Sequence, residues 1–372
     1  MRLPAAFPVC FMPDDQTTPK GVLPSQSLEK MAAEGHIRAR TPILPDQIQP
    51  SSIDLRLGSE AYRVRASFLA GGSDTITGKL EQYRLHTLDL TRTAVLEKGC
   101  VYIVPLQEEL ALPPDVSGKA NPKSSTGRLD IFTRLITDEG RQFEIVPAGY
   151  KGRLYAEVVP RTFSIVVRQG ERLSQLRLFR GDHRPADARI QSPLRLSVDL
   201  AGADSEIIGY RARRHAPLID LAKIQHYDPE EFWDPIPGNR ARSLILDPED
   251  FYILASREKV QIPPEYAAEM VPFDPTIGEF RIHYAGFFDP GFGYGAGDVG
   301  GTRAVLEVRS HEVPFVMEDG QIVASLIYER LTERPRLLYG EGIGSSYQRQ
   351  GLKLSKHFRS VTEPVRVAEP RP

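Results

Sequence analysis

Cysteine is nearly missing from this chain: among 372 residues only Cys10 and Cys100 occur. A disulfide framework and a cysteine-rich zinc site are therefore excluded, and Cys100, at an apolar strand-like run, reads as core. The histidines show neither H-x-x-x-H nor H-E-x-x-H spacing, and no C-x-x-C pair accompanies them. No protein-held zinc and no metal ligand set is expected. Long apolar runs are missing too. No stretch approaches the roughly 20 residues that cross a bilayer, so the chain reads as soluble, with no membrane partner. Nor is one charge sign in excess, since 47 Lys and Arg meet 49 Asp and Glu and are spread along the chain. Nucleic acid is not an expected partner, and an anionic ligand must be small and locally held. The N-terminal MRLPAAFPVCFMPDDQTTPKGVLP, with one early Arg, several prolines and acidic residues, is unlike a secretory signal. The expected location is cytoplasmic.

Proline and glycine, 31 and 30 residues, separate short apolar runs such as CVYIVPL, RLYAEVV, AVLEVRS and IVASLIYERL. Such runs between turn residues predict short strands and a mainly β protein. Helix is a minor component. The best helical period lies in PSQSLEKMAAEGHI, with a Ser as N-cap, while DPEDFYIL suits helix or strand.

The length exceeds one ordinary core, and the chain repeats itself. LEKGCVYIVPLQEELALPP at 96–114 aligns with LDPEDFYILASREKVQIPP at 246–264, pairing Tyr102 with Tyr252 at an offset of 150. The same offset pairs Glu157 with Glu307, Gly170 with Gly320 and Leu176 with Leu326. Between these blocks it drops to 142, where VPAGY at 146–150 meets FDPGF at 288–292. IQPSSIDLRLG at 48–58 has a worn counterpart around LRLSVDLAG at 194–202. The reading is a diverged tandem duplication, residues 1–190 and 191–372, joined through the linker-like GDHRPADAR.

NPKSSTGRLD at 121–130 is the first chemical candidate. Its glycine and serines suit a turn whose backbone N–H groups converge on phosphate, with Lys123 as a point charge and Arg128 as a planar fork. A solvated turn is the plain alternative. GAGDVG at 295–300 fits G-x-G-x-x-G, but a strand-like TRAVLEVRS follows instead of a helix, so it reads as a hairpin insert. Glu157 and Glu307 interrupt apolar strands at the same slot in both copies. Each suits a proton shuttle beside a dry pocket, or an ordinary solvated strand face.

Taken in order, IQPSSIDLRLG, PKSSTGRLD, FDPGF, AVLEV and SSYQRQGLKLS resemble the dCTP deaminase family, in a long two-repeat form, over most of residues 25–358. The resemblance implies two tandem dUTPase-like distorted β-barrels of jelly-roll character. It assigns Lys123, Ser124, Ser125 and Arg128 to the triphosphate and the attacking water. Copy two has VPFDPTIG in their place. It assigns Asp289 of Asp289-Pro290-Gly291 to the deoxyribose, where copy one has Pro147-Ala148-Gly149. The catalytic glutamate corresponds to Glu307 and Glu157, but only Glu307 follows an intact Asp-Pro-Gly, which leaves Glu157 as a second-site candidate. Val305 joins the nucleotide-binding set. The closing tail corresponds to Tyr339, Ser346 and Gln350, with Ser346 standing where a lysine is expected. Complementary losses point to one composite site.

What the resemblance implies is hydrolysis of dCTP to dUTP and ammonia, with Mg2+ carried by the triphosphate, dTTP as a regulator, and a homo-oligomer with sites between barrels. Two alternatives stand beside it. One is a dUTP pyrophosphatase or bifunctional enzyme, from the dUTPase-like GYKG at 149–152; the other is a non-catalytic nucleotide-sensing module, favoured if both glutamates are exposed.

Overall fold

A computed structural model describes residues 19–360 apart from 73, 185–189, 191, 203–205, 273–279, 283–285, 296–299, 311 and 341–350. Strands dominate, and helix accounts for 9% of the described residues. In the first half, Arg172–Arg180 pairs with Val116–Pro122, Ile53–Arg56 and Gly21–Val22 in one sheet, while Lys151–Pro160 lies between Val101–Ala111 and Ile131–Thr137 in another. The second half has matching sheets: Ile322–Arg330 pairs with Tyr266–Pro272 and Leu194–Ser197, and Thr302–Ser310 lies between Phe251–Val260 and Phe280–Ile282.

The repeat is visible in individual hydrogen bonds. Tyr102 Oη accepts from the Glu97 N–H at 3.1 Å, and Tyr252 Oη from the Asp247 N–H at 2.9 Å. Glu157 stands opposite Ile103, and Glu307 opposite Ile253. At the shorter offset, Val146 faces Gly118 as Phe288 faces Ala268. The structural counterpart of Ile53 is Leu194, since they face Leu176 and Leu326 on corresponding strands.

Strand alternation decides which side chains meet. On Thr302–Ser310, Ala304, Leu306 and Val308 enter the second half's core. Arg303, Val305, Glu307 and Arg309 therefore point the other way, yet they too are buried. The first half covers Val305, Glu307 and Arg309, since Val305, Ile253, Phe251 and Trp233 belong to the same apolar cluster as Leu129, Ile131 and Phe163 and Arg309 meets Asp130, while Arg303 pairs with Asp199 of its own half. On Lys151–Pro160, Leu154, Ala156 and Val158 likewise face inward. The opposite face, with Tyr155 and Glu157, is covered instead by the chain's own excursion, where Val64, Ile76 and Leu80 pack on Tyr155.

Two local expectations are corrected, and one helix is added. The first helix is Ser25–Ala33, but its N-cap is Pro24 with no side-chain cap, because Ser25 already lies inside the first turn. A helix at Ile76–Tyr83 goes unforeseen, since only Ile76 and Leu80 mark its buried face; Thr75 caps it by accepting from the Gly78 N–H. Cys100 is half-buried at the core's edge.

Candidate active site

The segment Lys123–Arg128 folds as a single helical turn, Ser124–Gly127, wedged between the strands Val116–Pro122 and Ile131–Thr137. Ser124 is exposed and Lys123 half-buried, whereas Ser125 and Arg128 are buried. Lys123 Nζ pairs with Asp54, which is 1% exposed, so the IQPSSIDLRLG strand supplies the lysine's counter-charge. Sequence reading assigned Asp54 nothing.

Across the boundary between the halves stands Glu307, 5% exposed. Burial pushes its carboxyl up to about 8; the Arg128 guanidinium opposes that shift and the Asp130 carboxylate adds to it. Arg128 and Asp130 of copy one thus lie close enough to Glu307 of copy two to act on its charge, and Val305 shares an apolar cluster with Leu129; Lys123, Ser124 and Ser125 belong to the same turn as Arg128. Asp289 belongs to the same junction. Ser51 Oγ donates to its Oδ1 at 2.6 Å, and Arg177 Nη2 lies 3.8 Å from the same oxygen. Burial raises the Asp289 carboxyl, against Arg177 and Ser51. Ser51 and Arg177 are further residues of the junction that motif reading passed over. The Asp-Pro-Gly bend has a steric reason: Gly291 has φ 93°, and a Cβ there would lie 3.0 Å from the Tyr339 nitrogen. Tyr339 donates its N–H to the Pro290 carbonyl at 2.8 Å, and its ring packs on Phe292.

Downstream, the tail returns to copy one. Arg128 Nη1 donates to the Lys353 carbonyl at 2.9 Å, and Ser355 Oγ donates to the Ser125 carbonyl at 2.8 Å. Phe358 anchors this end against Phe232 and Trp233. Ser346 and Gln350 lie outside the described residues, as do positions 273–278 of VPFDPTIG and 296–299 of the insert.

Glu157 is placed differently. It is fully buried, and Arg134 holds its Oε1 through Nε at 3.0 Å and Nη2 at 2.5 Å, with the guanidinium over Phe143. No turn from the other copy reaches it among the described residues. The second-site candidate is an internally neutralised carboxylate beneath the Ile76–Tyr83 excursion.

Residues 19–182 match the family described as the 2'-deoxycytidine 5'-triphosphate deaminase N-terminal domain, and residues 168–358 match the C-terminal domain of the same enzyme. The chain belongs to the dCTP deaminase family. A crystal structure of 2'-deoxycytidine 5'-triphosphate deaminase from Agrobacterium tumefaciens superposes with a TM-score of 0.81 at 51% identity, covering 84% of this chain and 99% of that one. Among dCTP deaminases of known sequence, a dUMP-forming one from Acidothermus cellulolyticus is 30% identical over 41% of this chain and 76% of its own length. One from Pyrobaculum islandicum is 26% identical over 44% and 86%. The described residues contain no helix long and apolar enough to cross a membrane, and no group of three or more His, Cys, Asp or Glu placed to hold a metal ion.

Proposed function

We propose that the protein hydrolyses dCTP to dUTP and ammonia at one site shared by its two halves. The observation that carries this reading is the buried Glu307 of the second half facing the Arg128 turn of the first, within a chain of the dCTP deaminase family. Water adds to C4 of the cytosine while Glu307 accepts one of its protons and delivers it to ring N3; Glu307 then carries the second proton from the new C4 hydroxyl to the amine, which leaves as ammonia as the C4 carbonyl forms. Arg128 stabilises the charged carboxylate, Ser124 helps orient the water, and Lys123 and Ser125 hold the triphosphate with its Mg2+. Asp289 and Val305 form the sugar and base side, and Tyr339 belongs to the tail that closes over the phosphates. Burial of both glutamates speaks against a non-catalytic sensing module.

Glu307 must be ionised to accept a proton, and its carboxyl lies near 8. In the free enzyme kcat/KM is therefore expected to climb about tenfold per pH unit below that value and level off above it. Initial rates between pH 6 and 9 measure this, and a flat profile would remove Glu307 as the base.

The relative that forms dUMP motivates one further reading, in which dUTP is hydrolysed onward. Pro147 and Ala148 are exposed and offer no carboxylate beside the GYKG hairpin, so dUTP is the expected end product. Incubation with dCTP and Mg2+, followed by ion-exchange chromatography, should yield dUTP and equimolar ammonia. Accumulation of dUMP and pyrophosphate would establish the onward reaction, and recovery of unchanged dCTP would defeat both.

A further inference from the structure

Asp130, the last residue of NPKSSTGRLD, has no place in the phosphate chemistry, yet its environment is unlike that of a turn residue. It has no exposed surface, and its backbone is in the left-handed region at φ 55°. A non-glycine residue held there stores strain, which persists only where the surroundings enforce it. They do so here. Asp130 N–H donates to the Gly127 carbonyl at 2.8 Å, and its own carbonyl accepts from the Arg161 N–H at 2.9 Å. Thr162 Oγ1 donates to Oδ2 at 2.6 Å, and Arg309 Nη2, reaching from the second half, donates to both Oδ2 and Thr162 Oγ1.

The sequence positions give this cluster its meaning. Asp130 lies two residues from Arg128, and Arg309 lies two residues from Glu307 on the same strand face. The pair is therefore a dry clamp between the turn that carries the arginine and the strand that carries the glutamate. From the geometry we infer that Asp130 is a positioning residue for the reaction: its buried link to Arg309 sets Arg128 and Glu307 in register across the boundary between the halves. Of the other ion pairs between the halves, Lys119 with Glu269, Arg168 with Asp220 and Arg177 with Glu329 involve neither the Arg128 turn nor the Glu307 strand, and the tail's bonds to Arg128 and Ser125 do not reach that strand.

The charge has a second effect. Asp130 and Arg128 act on Glu307 from the turn with opposite signs, and Asp130 raises the Glu307 carboxyl. Arg309 and Arg303 flank Glu307 on its own strand, while Arg161 and Glu249 approach the far side of the clamp, 3.7 Å apart. Removing the Asp130 charge should lower the Glu307 pKa and start the rise of kcat/KM at lower pH.

This inference rests on the deaminase reading, which wild-type turnover of dCTP tests separately; the clamp is tested by variants relative to wild type. Asp130→Asn keeps the shape and tolerates the left-handed backbone. Asp130→Gly relieves the strain while breaking the link, and so reports on the clamp even if the Asn protein fails to fold. Both should lose about tenfold in kcat through misplacement of the reacting groups, with KM for dCTP within about threefold and the acid limb of the pH profile moved down. Thr162→Val should show a smaller loss in the same direction. A folded Asp130→Gly protein with wild-type kcat and an unmoved limb would overturn the inference.

Discussion

Glu307→Gln is expected to cut kcat for dCTP by about 10²–10⁴-fold, the usual worth of a general base, while leaving nucleotide binding measurable. It should also make the protein more stable. The Glu307 carboxyl lies near 8 in the folded chain against 4.5 for an ordinary glutamate. Between those values the folded state holds a proton that the unfolded state releases, so wild-type stability falls as pH rises through the window. Glutamine needs no proton to be buried. Its advantage should be absent below about pH 4.5, grow through neutrality and reach on the order of 3 kcal/mol at pH 7. Denaturant melts at pH 4.5 and 7 measure the difference. Glu157→Gln provides the contrast, with turnover close to wild type and stability lowered, because Arg134 loses its partner. If Glu157→Gln abolished turnover and Glu307→Gln did not, the active glutamate would be in copy one.

Arg177→Met should lower folding stability by about 3–5 kcal/mol, the effect of breaking a buried ion pair from one side. Arg177 has no exposed side-chain surface. Its Nη1 bonds Glu329 at 2.5 Å and the Ala268 carbonyl at 3.1 Å, its Nη2 bonds Ser51 at 3.1 Å, and its guanidinium stacks on Phe287. Methionine fills much of the volume and satisfies none of these acceptors, so Glu329 and Asp289 are left in a dry place without their cation. The loss should be smaller at low pH, where the Asp289 carboxyl, already raised by burial, takes up a proton. Urea melts at pH 7 and pH 4.5 would show it, and an unchanged midpoint at pH 7 would mean that the halves are not held together through Arg177.

The residue pairings between the copies were open to sequence reading because each copy served as a control for the other. Tyr102 and Tyr252 accept the same bond, and Val146 and Phe288 take the same register after the offset falls to 142. Strand alternation also separated Glu307 from the core side of its strand. What alternation could not reveal was the surface laid against that second face. For Glu307 it is the other copy, and for Glu157 it is the Ile76–Tyr83 excursion, whose two buried apolar positions are too few for a clear helical period. Ser51 with Asp289, Asp130 with Arg309, and Ser355 with Ser125 join residues far apart in the chain. No local pattern encodes such pairs, and each becomes visible only when the halves are docked.

The proposed divided site makes its sharpest demand on where the nucleotide lies. A crystal structure of the Glu307→Gln protein with dCTP and Mg2+ should place the triphosphate against Lys123–Arg128 and cytosine C4 beside residue 307 of the same chain, with Asp289 toward the sugar. A nucleotide found against Glu157, or one whose phosphates meet no part of the Lys123–Arg128 turn, would contradict it.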